Sequence, residues 1–144
     1  MAQETVDRLK LENQLCFPLY ACSKEVVRKY KPDLEALGLT YTQYISMMVL
    51  WDRAPMRVKD LGEALYLDSG TLTPLLKKLE KAGWVVRQRD PQDERSVILT
   101  LTEAGRALRE QVLHIPGKVE DCIPLTQDEA QTLYRLLYKI LATC

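Results

Sequence analysis

The chain has 144 residues, enough for one domain or for one DNA-reading module with dimerising arms, and 47% of them are hydrophobic, which excludes a disordered chain. One Phe and two Trp against a leucine-rich pattern favour a helical protein over an all-β one. Formal net charge is zero, with 20 basic and 20 acidic residues, so no whole-protein field argues for nucleic acid, and no stretch approaches the roughly 20 apolar residues that cross a bilayer.

The first helical stretch is expected from about Val6 to Tyr30, with Leu9, Leu15, Leu19, Val26, Val27 and Tyr30 among its apolar positions. Pro18 interrupts it and predicts a kink or a helix start near Cys16–Pro18, and Lys31-Pro32 is expected to end or bend it. Gly38-Leu39-Thr40 is a break. Thr40-Tyr41-Thr42-Gln43 has capping-box spacing and opens a largely apolar helix to about Asp52, which Ala54-Pro55 stops. A short helix from about Arg57 to Leu65 comes next, then a turn at Tyr66-Leu67-Asp68 and a helix from about Ser69 to Ala82. In the latter, Leu72, Leu75, Leu76 and Leu79 recur at helical spacing, and Gly83 is the stop. Two short helices around a tight turn outline a helix-turn-helix.

Trp84–Arg89 and Ser96–Leu101 read as two strands joined by a turn at Asp90–Glu94. A hairpin directly after the second helix has the form of a wing. Thr102 caps a helix from Glu103 to about Leu113; Pro116-Gly117 and Pro124 mark irregular places; Thr126–Glu129 is a second capping box that starts a final helix carrying Leu133, Leu136, Leu137, Ile140 and Leu141. The fold class is therefore mainly α with a small β-hairpin wing. The winged helix-turn-helix module spans about 57–101, and dimerisation helices span about 6–52 and 102–144. Apolar terminal helices with little core of their own are best buried against a second copy.

With those leucines turned inward, the opposite face of the 69–82 helix holds Gly70, Thr73, Pro74, Lys77 and Lys81, with Ser69 at its start and Thr71 and Lys78 at the edge. Short side chains at the N-terminal end would let the helix approach base edges, while lysines reach phosphates. The same pattern also occurs on ordinary solvated helices. In the hairpin, Arg87 and Arg89 share a strand face and Arg95 lies near the tip, where an arginine suits a minor groove; Asp93 is expected to hold the Arg95 guanidinium. Four cysteines, Cys16, Cys22, Cys122 and Cys144, make no CxxC pair, and His114 has no cysteine or acid at ligand spacing, so neither a metal nor another cofactor is expected. Met1-Ala2-Gln3-Glu4 does not open a secretory signal, and the cytoplasm is the expected location.

Asp93-Glu94-Arg95-Ser96-Val97-Ile98-Leu99-Thr100 resembles the wing signature of the MarR family, D-x-R followed shortly by L-T. Leu65–Leu76, Leu11–Phe17 and Gly38–Tyr44 resemble more narrowly its organic-hydroperoxide-sensing repressors, and the resemblance spans about Leu11 to Tyr138. It implies a homodimer with interlocked terminal helices that binds a pseudo-palindromic double-stranded operator and is released by thiol oxidation. It maps the reactive thiol onto Cys16 and its hydrogen-bonding tyrosines onto Tyr30 and Tyr41, with Tyr20 close by. It places a resolving thiol, in some members, near Cys122; a low-molecular-weight thiol is the other resolving partner. Cys22 is a poor intramolecular partner for Cys16, because six helical residues rise about 9 Å, beyond the roughly 7 Å reach of a disulfide.

Phenols beside a thiolate donate hydrogen bonds that favour the charged form, and a helix start near Pro18 would add a favourable dipole at Cys16. Two other readings stay open. One is a MarR-type repressor answering a small aromatic ligand with inert cysteines. The other is a thiol-dependent peroxidase, against which Cys16 lacks the Pro-x-x-x-[Thr/Ser]-x-x-Cys context.

Overall fold

The computed structural model describes residues 7–144, in two compact units that divide between Leu113 and His114. The expected helix start at about Val6 lies outside the described residues. From Asp7 to Leu15 the chain makes only a 3-10 turn at Leu11–Asn13, and helix α1 runs from Cys16 to Glu35. Pro18 falls in the first turn of α1, where backbone N–H groups have no intrahelical acceptor, so its missing donor costs nothing there. Lys31-Pro32 does not end the helix. Pro32 lies inside it, and closure comes later, where Leu39 N donates to Leu34 O at 2.9 Å and Gly38 takes φ +73°.

Helix α2, Tyr41–Arg53, opens on the expected capping box: Gln43 N donates to Thr40 Oγ1 at 3.3 Å, and Thr40 N donates to Gln43 Oε1 at 2.9 Å. It packs on α1 and buries Tyr44, Met47 and Leu50. Strand β1, Met56–Arg57, was absent from the sequence pattern; it pairs Met56 with Leu99 and Arg57 with Ile98. Arg57 is therefore a strand residue that caps α3 rather than the first residue of that helix. Helix α3, Val58–Leu65, packs on α2 and ends at Tyr66, whose φ of 56° is a left-handed conformation that glycine usually supplies.

Helix α4 runs from Ser69 to Lys81 behind an Asp68 cap, with Thr71 N donating to Asp68 Oδ1 at 2.8 Å. Its four leucines are buried as the spacing predicts. Burial of a leucine side chain is worth about 1.5–3 kcal/mol, and this stripe fixes which face of α4 remains outside. Gly83, at φ +83°, turns the chain into β2, Val85–Asp90, which pairs antiparallel with β3, Asp93–Leu101. The sheet order is β1-β3-β2. The hairpin loop is shorter than the expected Asp90–Glu94 turn. Asp90 Oδ1 accepts from Gln92 N at 2.9 Å, and pairing extends to Asp90 and Asp93.

Thr102 caps α5, Glu103–Val112. Gly105 lies so close to the Trp84 carbonyl that a Cβ could not fit, and its own carbonyl accepts from Trp51 Nε1 at 2.8 Å. In the second unit, Pro116-Gly117 is helical rather than irregular: it lies in α6, Ile115–Glu120, with the proline in the first turn. Helix α7, Gln127–Leu141, starts on the expected capping box at Thr126 and Glu129 and buries no residue. Among the described residues, no helix is long and apolar enough to cross a membrane.

Candidate nucleic-acid interface and cysteine site

Burial of the leucine stripe leaves Ser69, Gly70, Thr71, Thr73, Pro74, Lys77, Lys78 and Lys81 exposed on α4. Thr73 Oγ1 donates to Ser69 O at 2.8 Å, and Pro74, inside the helix, supplies no donor to the Gly70 carbonyl. None of the three lysines has an ion pair among the described residues. The positive end of the helix, its short side chains and its lysines thus share one open face.

The wing residues divide by what they touch. Arg89 is exposed and donates to Glu94 O at 3.3 Å across the hairpin. Arg95 is exposed and has no ion pair among the described residues. Asp93 does not hold the Arg95 guanidinium as expected. Its Oδ1 accepts from Arg95 N at 3.1 Å and its Oδ2 from Ser96 Oγ at 3.0 Å, because a carboxylate at a tight turn reaches backbone donors two residues on before it reaches a long side chain. Arg87 is also not a free cation. Its guanidinium makes a two-pronged pair with Glu80 of α4, and the hydrogen bonds from Arg87 hold the Glu80 carboxyl below the usual carboxylate range.

A groove of about 690 Å³ lies between α3, the start of α4 and β3. Arg57 and Lys59 line it, and neither was singled out from the sequence, although two cations at the mouth of a helix-turn-helix were a usable signal.

Cys16 is the first residue of α1, exposed, at the end where unpaired N–H groups carry partial positive charge. Tyr20 lies one turn on, with Lys24 Nζ 5.0 Å from its ring centroid. Tyr30 is fourteen residues beyond Cys16 on the same helix, roughly 21 Å along its axis. It packs instead against Tyr41, at 5.0 Å between ring centroids, and Tyr44, at 5.8 Å. The structure therefore does not bring Cys16 to Tyr30 and Tyr41 within one chain. Tyr44 was missed because at helical spacing it reads as core. Burial raises the Tyr41 phenol, and burial with the neighbouring Tyr30 and Tyr41 phenols pushes Tyr44 up to about 12, so these hydroxyls stay protonated donors at neutral pH. A cavity of about 470 Å³ beside Tyr41 is walled by Val27, Leu34 and Leu39. Cys22, Cys122 and Cys144 are free and exposed; Cys122 comes after α6 in the second unit.

Leu15, Phe17 and Leu19 on and before α1, and Leu133, Leu136 and Ile140 on α7, are exposed large apolar side chains. Such faces are the signature of an unfilled interface.

The family model that matches this chain is that of the MarR family, over residues 39–97. The organic hydroperoxide resistance transcriptional regulator of Bacillus subtilis is 47% identical over 137 residues, 95% of this chain and 93% of that protein. The structure of reduced AbfR bound to DNA, a protein of Staphylococcus epidermidis, is similar at 36% identity with a TM-score of 0.78, covering 95% of this chain and 96% of that one. The disulfide form of AbfR, at the same identity and covering 95% and 93%, superposes less well, with a TM-score of 0.63.

Proposed function

The chain belongs to the MarR family, and on that premise we propose that it is a homodimeric transcriptional repressor that binds a pseudo-palindromic operator and leaves it when an organic hydroperoxide oxidises Cys16. The observation that carries the DNA half is the open face of α4, on which hydroxyls, the helix N-terminus and unpaired lysines adjoin a wing bearing Arg89 and Arg95. One α4 enters the major groove of each half-site, and the wing lies along the neighbouring minor groove. The bare apolar faces of α1 and α7 are buried in the dimer. The protein acts in the cytoplasm, where DNA and thiol reductants meet.

The chemistry is placed at Cys16, the first residue of α1. The sulfur takes the distal oxygen of ROOH to give a sulfenic acid and ROH. Condensation with a second thiol, Cys122 or a small cytoplasmic thiol, forms a disulfide and releases water. Tyr30 and Tyr41 are out of reach within the chain, so the phenols that hydrogen-bond Cys16 come from the partner subunit. Oxidation of one sulfur then acts directly on the dimer interface and changes the spacing of the two reading heads. A coupling of about 3 kcal/mol between oxidation and DNA binding changes affinity more than a hundredfold. Both the reduced and the overoxidised AbfR bound to DNA resemble this chain more than disulfide AbfR does, which supports a disulfide, rather than sulfur oxidation alone, as the change that rearranges the dimer.

The test is selection from a randomised duplex pool by the reduced protein, then treatment with alkyl hydroperoxide. The reading expects two-fold symmetric half-sites about one helical turn apart and release on oxidation. Recovery of no preferred duplex, or retention of it by the oxidised protein, overturns it.

A further inference from the structure

We propose that Trp51 is a positioning residue of the redox response: its indole N–H couples α2, which carries Tyr41 and Tyr44, to the turn on which α4 and the wing are mounted. The proposal rests on the thiol-switched repressor reading above and adds the route by which a change at the tyrosines reaches the reading head of the same subunit. At the start of α2, Tyr41 and Tyr44 pack on Tyr30 of α1. Trp51 lies ten residues beyond Tyr41, about 15 Å along the helix axis. There its Nε1–H donates to Gly105 O at 2.8 Å, joining residues 54 apart in sequence.

Gly105 belongs to a rigid block. It lies in the first turn of α5, where a Cβ would strike the Trp84 carbonyl. That carbonyl accepts from Thr102 N at 3.1 Å, and the neighbouring Gly83 carbonyl accepts from Thr102 Oγ1. Gly83, at φ +83°, is the turn between α4 and β2, so the start of α5 is fastened to the point that sets helix against wing. Trp51 fastens α2 to the same block. A cavity of about 260 Å³ lies against it, walled by Pro55, Leu101 and Arg106. With that side open, the directional N–H bond rather than close packing fixes the indole. A stiff helix with one end in the tyrosine cluster and the other bonded to the mount of the reading head carries a tilt at the first to the second.

Operator affinity by fluorescence anisotropy, for reduced and for disulfide-oxidised homodimers, tests this. Trp51→Phe removes the donor, and benzothienylalanine at position 51 replaces the N–H by sulfur in a ring of nearly the same shape. Leu50→Val, at a fully buried position beside Trp51, keeps the indole bond and is the control for lost stability. Intact mass checks that Cys16 forms its disulfide to the same extent in every protein. In the wild type, oxidation weakens binding more than a hundredfold under the reading above. That ratio should shrink about tenfold in both Trp51 variants, the most that one neutral hydrogen bond contributes, because their oxidised forms keep DNA. Their reduced forms should bind as the wild type does, and Leu50→Val should keep the wild-type ratio. Unchanged ratios in both Trp51 variants overturn the assignment. So does an equal loss in Leu50→Val, which would make the effect one of stability. So does an equal loss of affinity in the reduced and oxidised Trp51 forms, which would make the indole a plain brace. A wild type whose disulfide form keeps its DNA would instead remove the parent reading and this one with it.

Discussion

Arg87 of β2 and Glu80 of α4 grip each other by two parallel hydrogen bonds, Nε to Oε2 at 3.1 Å and one terminal guanidinium nitrogen to Oε1 at 3.2 Å. The pair ties the reading helix to the first strand of the wing. If Arg87 acts as a brace, Glu80→Gln lowers operator affinity although it removes a negative charge from the DNA-binding module. Were Arg87 a phosphate ligand restrained by Glu80, the same change would raise affinity. The lowered carboxyl also gives a sign in pH: the pair stabilises the fold above the ordinary carboxylate pKa and ceases to do so as pH falls through the depressed folded value. The gap in unfolding midpoint between wild type and Glu80→Gln should therefore close in acid.

Gly105 has no room for a side chain, because its α carbon abuts the Trp84 carbonyl, which itself accepts from Thr102 N at 3.1 Å. Gly105→Ala must push α5 from the base of the hairpin and disturb the Trp51 indole bond. Overpacking of this kind costs about 1–3 kcal/mol. Chemical denaturation should show that loss, while the Gly117→Ala control, where a Cβ meets nothing within 4 Å, should not.

A sensor assembled across the dimer has a genetic signature. In a heterodimer of one Cys16→Ser subunit and one subunit carrying Tyr30→Phe and Tyr41→Phe, the cross-subunit arrangement retains one intact thiol–phenol site. Such a heterodimer should release DNA on peroxide. An arrangement within one chain leaves no intact site, and DNA should stay bound. Tagged co-expression and anisotropy distinguish the two.

Elements with local causes were legible in the sequence. The capping boxes at Thr40 and Thr126, the leucine stripe of α4 and the glycine at position 83 each dictate structure through neighbours within a few residues, and each stands where its pattern put it. Features that depend on distant partners were not. Strand β1 has two residues and no periodicity, and exists because β3 offers it an edge. The cation at Arg87 was legible, but its pairing with Glu80 was not, because the two meet only in the fold. Pro32 was expected to end or bend the helix because its ring disfavours a helical residue before it, and α1 carries through to Glu35. At the cysteine site the residue types were readable; α1 then puts roughly 21 Å between Cys16 and Tyr30. The proposed relation of Cys16 to Tyr30 and Tyr41 is one between chains, for which one sequence carries no distance.

The buried Tyr44 phenol should show itself in alkali. Its value, pushed up to about 12, exceeds that of an unfolded tyrosine, near 10. A raised folded value means that its contribution to stability is complete below about pH 10 and is lost as pH rises through about 12. The unfolding midpoint of the wild type should fall across that window, and that of Tyr44→Phe should fall less. Ultraviolet titration of the phenols on the folded protein checks the assignment independently.

In the proposed mechanism one sulfur controls one DNA-binding surface. Operator anisotropy of wild type and Cys16→Ser, each read before and after alkyl hydroperoxide, with intact mass taken on the same samples, measures that control directly. The expected result is equal affinity before treatment, release of the wild type together with a mass gain at Cys16 or a disulfide to it, and a serine variant that keeps its DNA. A serine variant that still lets go, or a wild type that holds on with Cys16 oxidised, contradicts the mechanism.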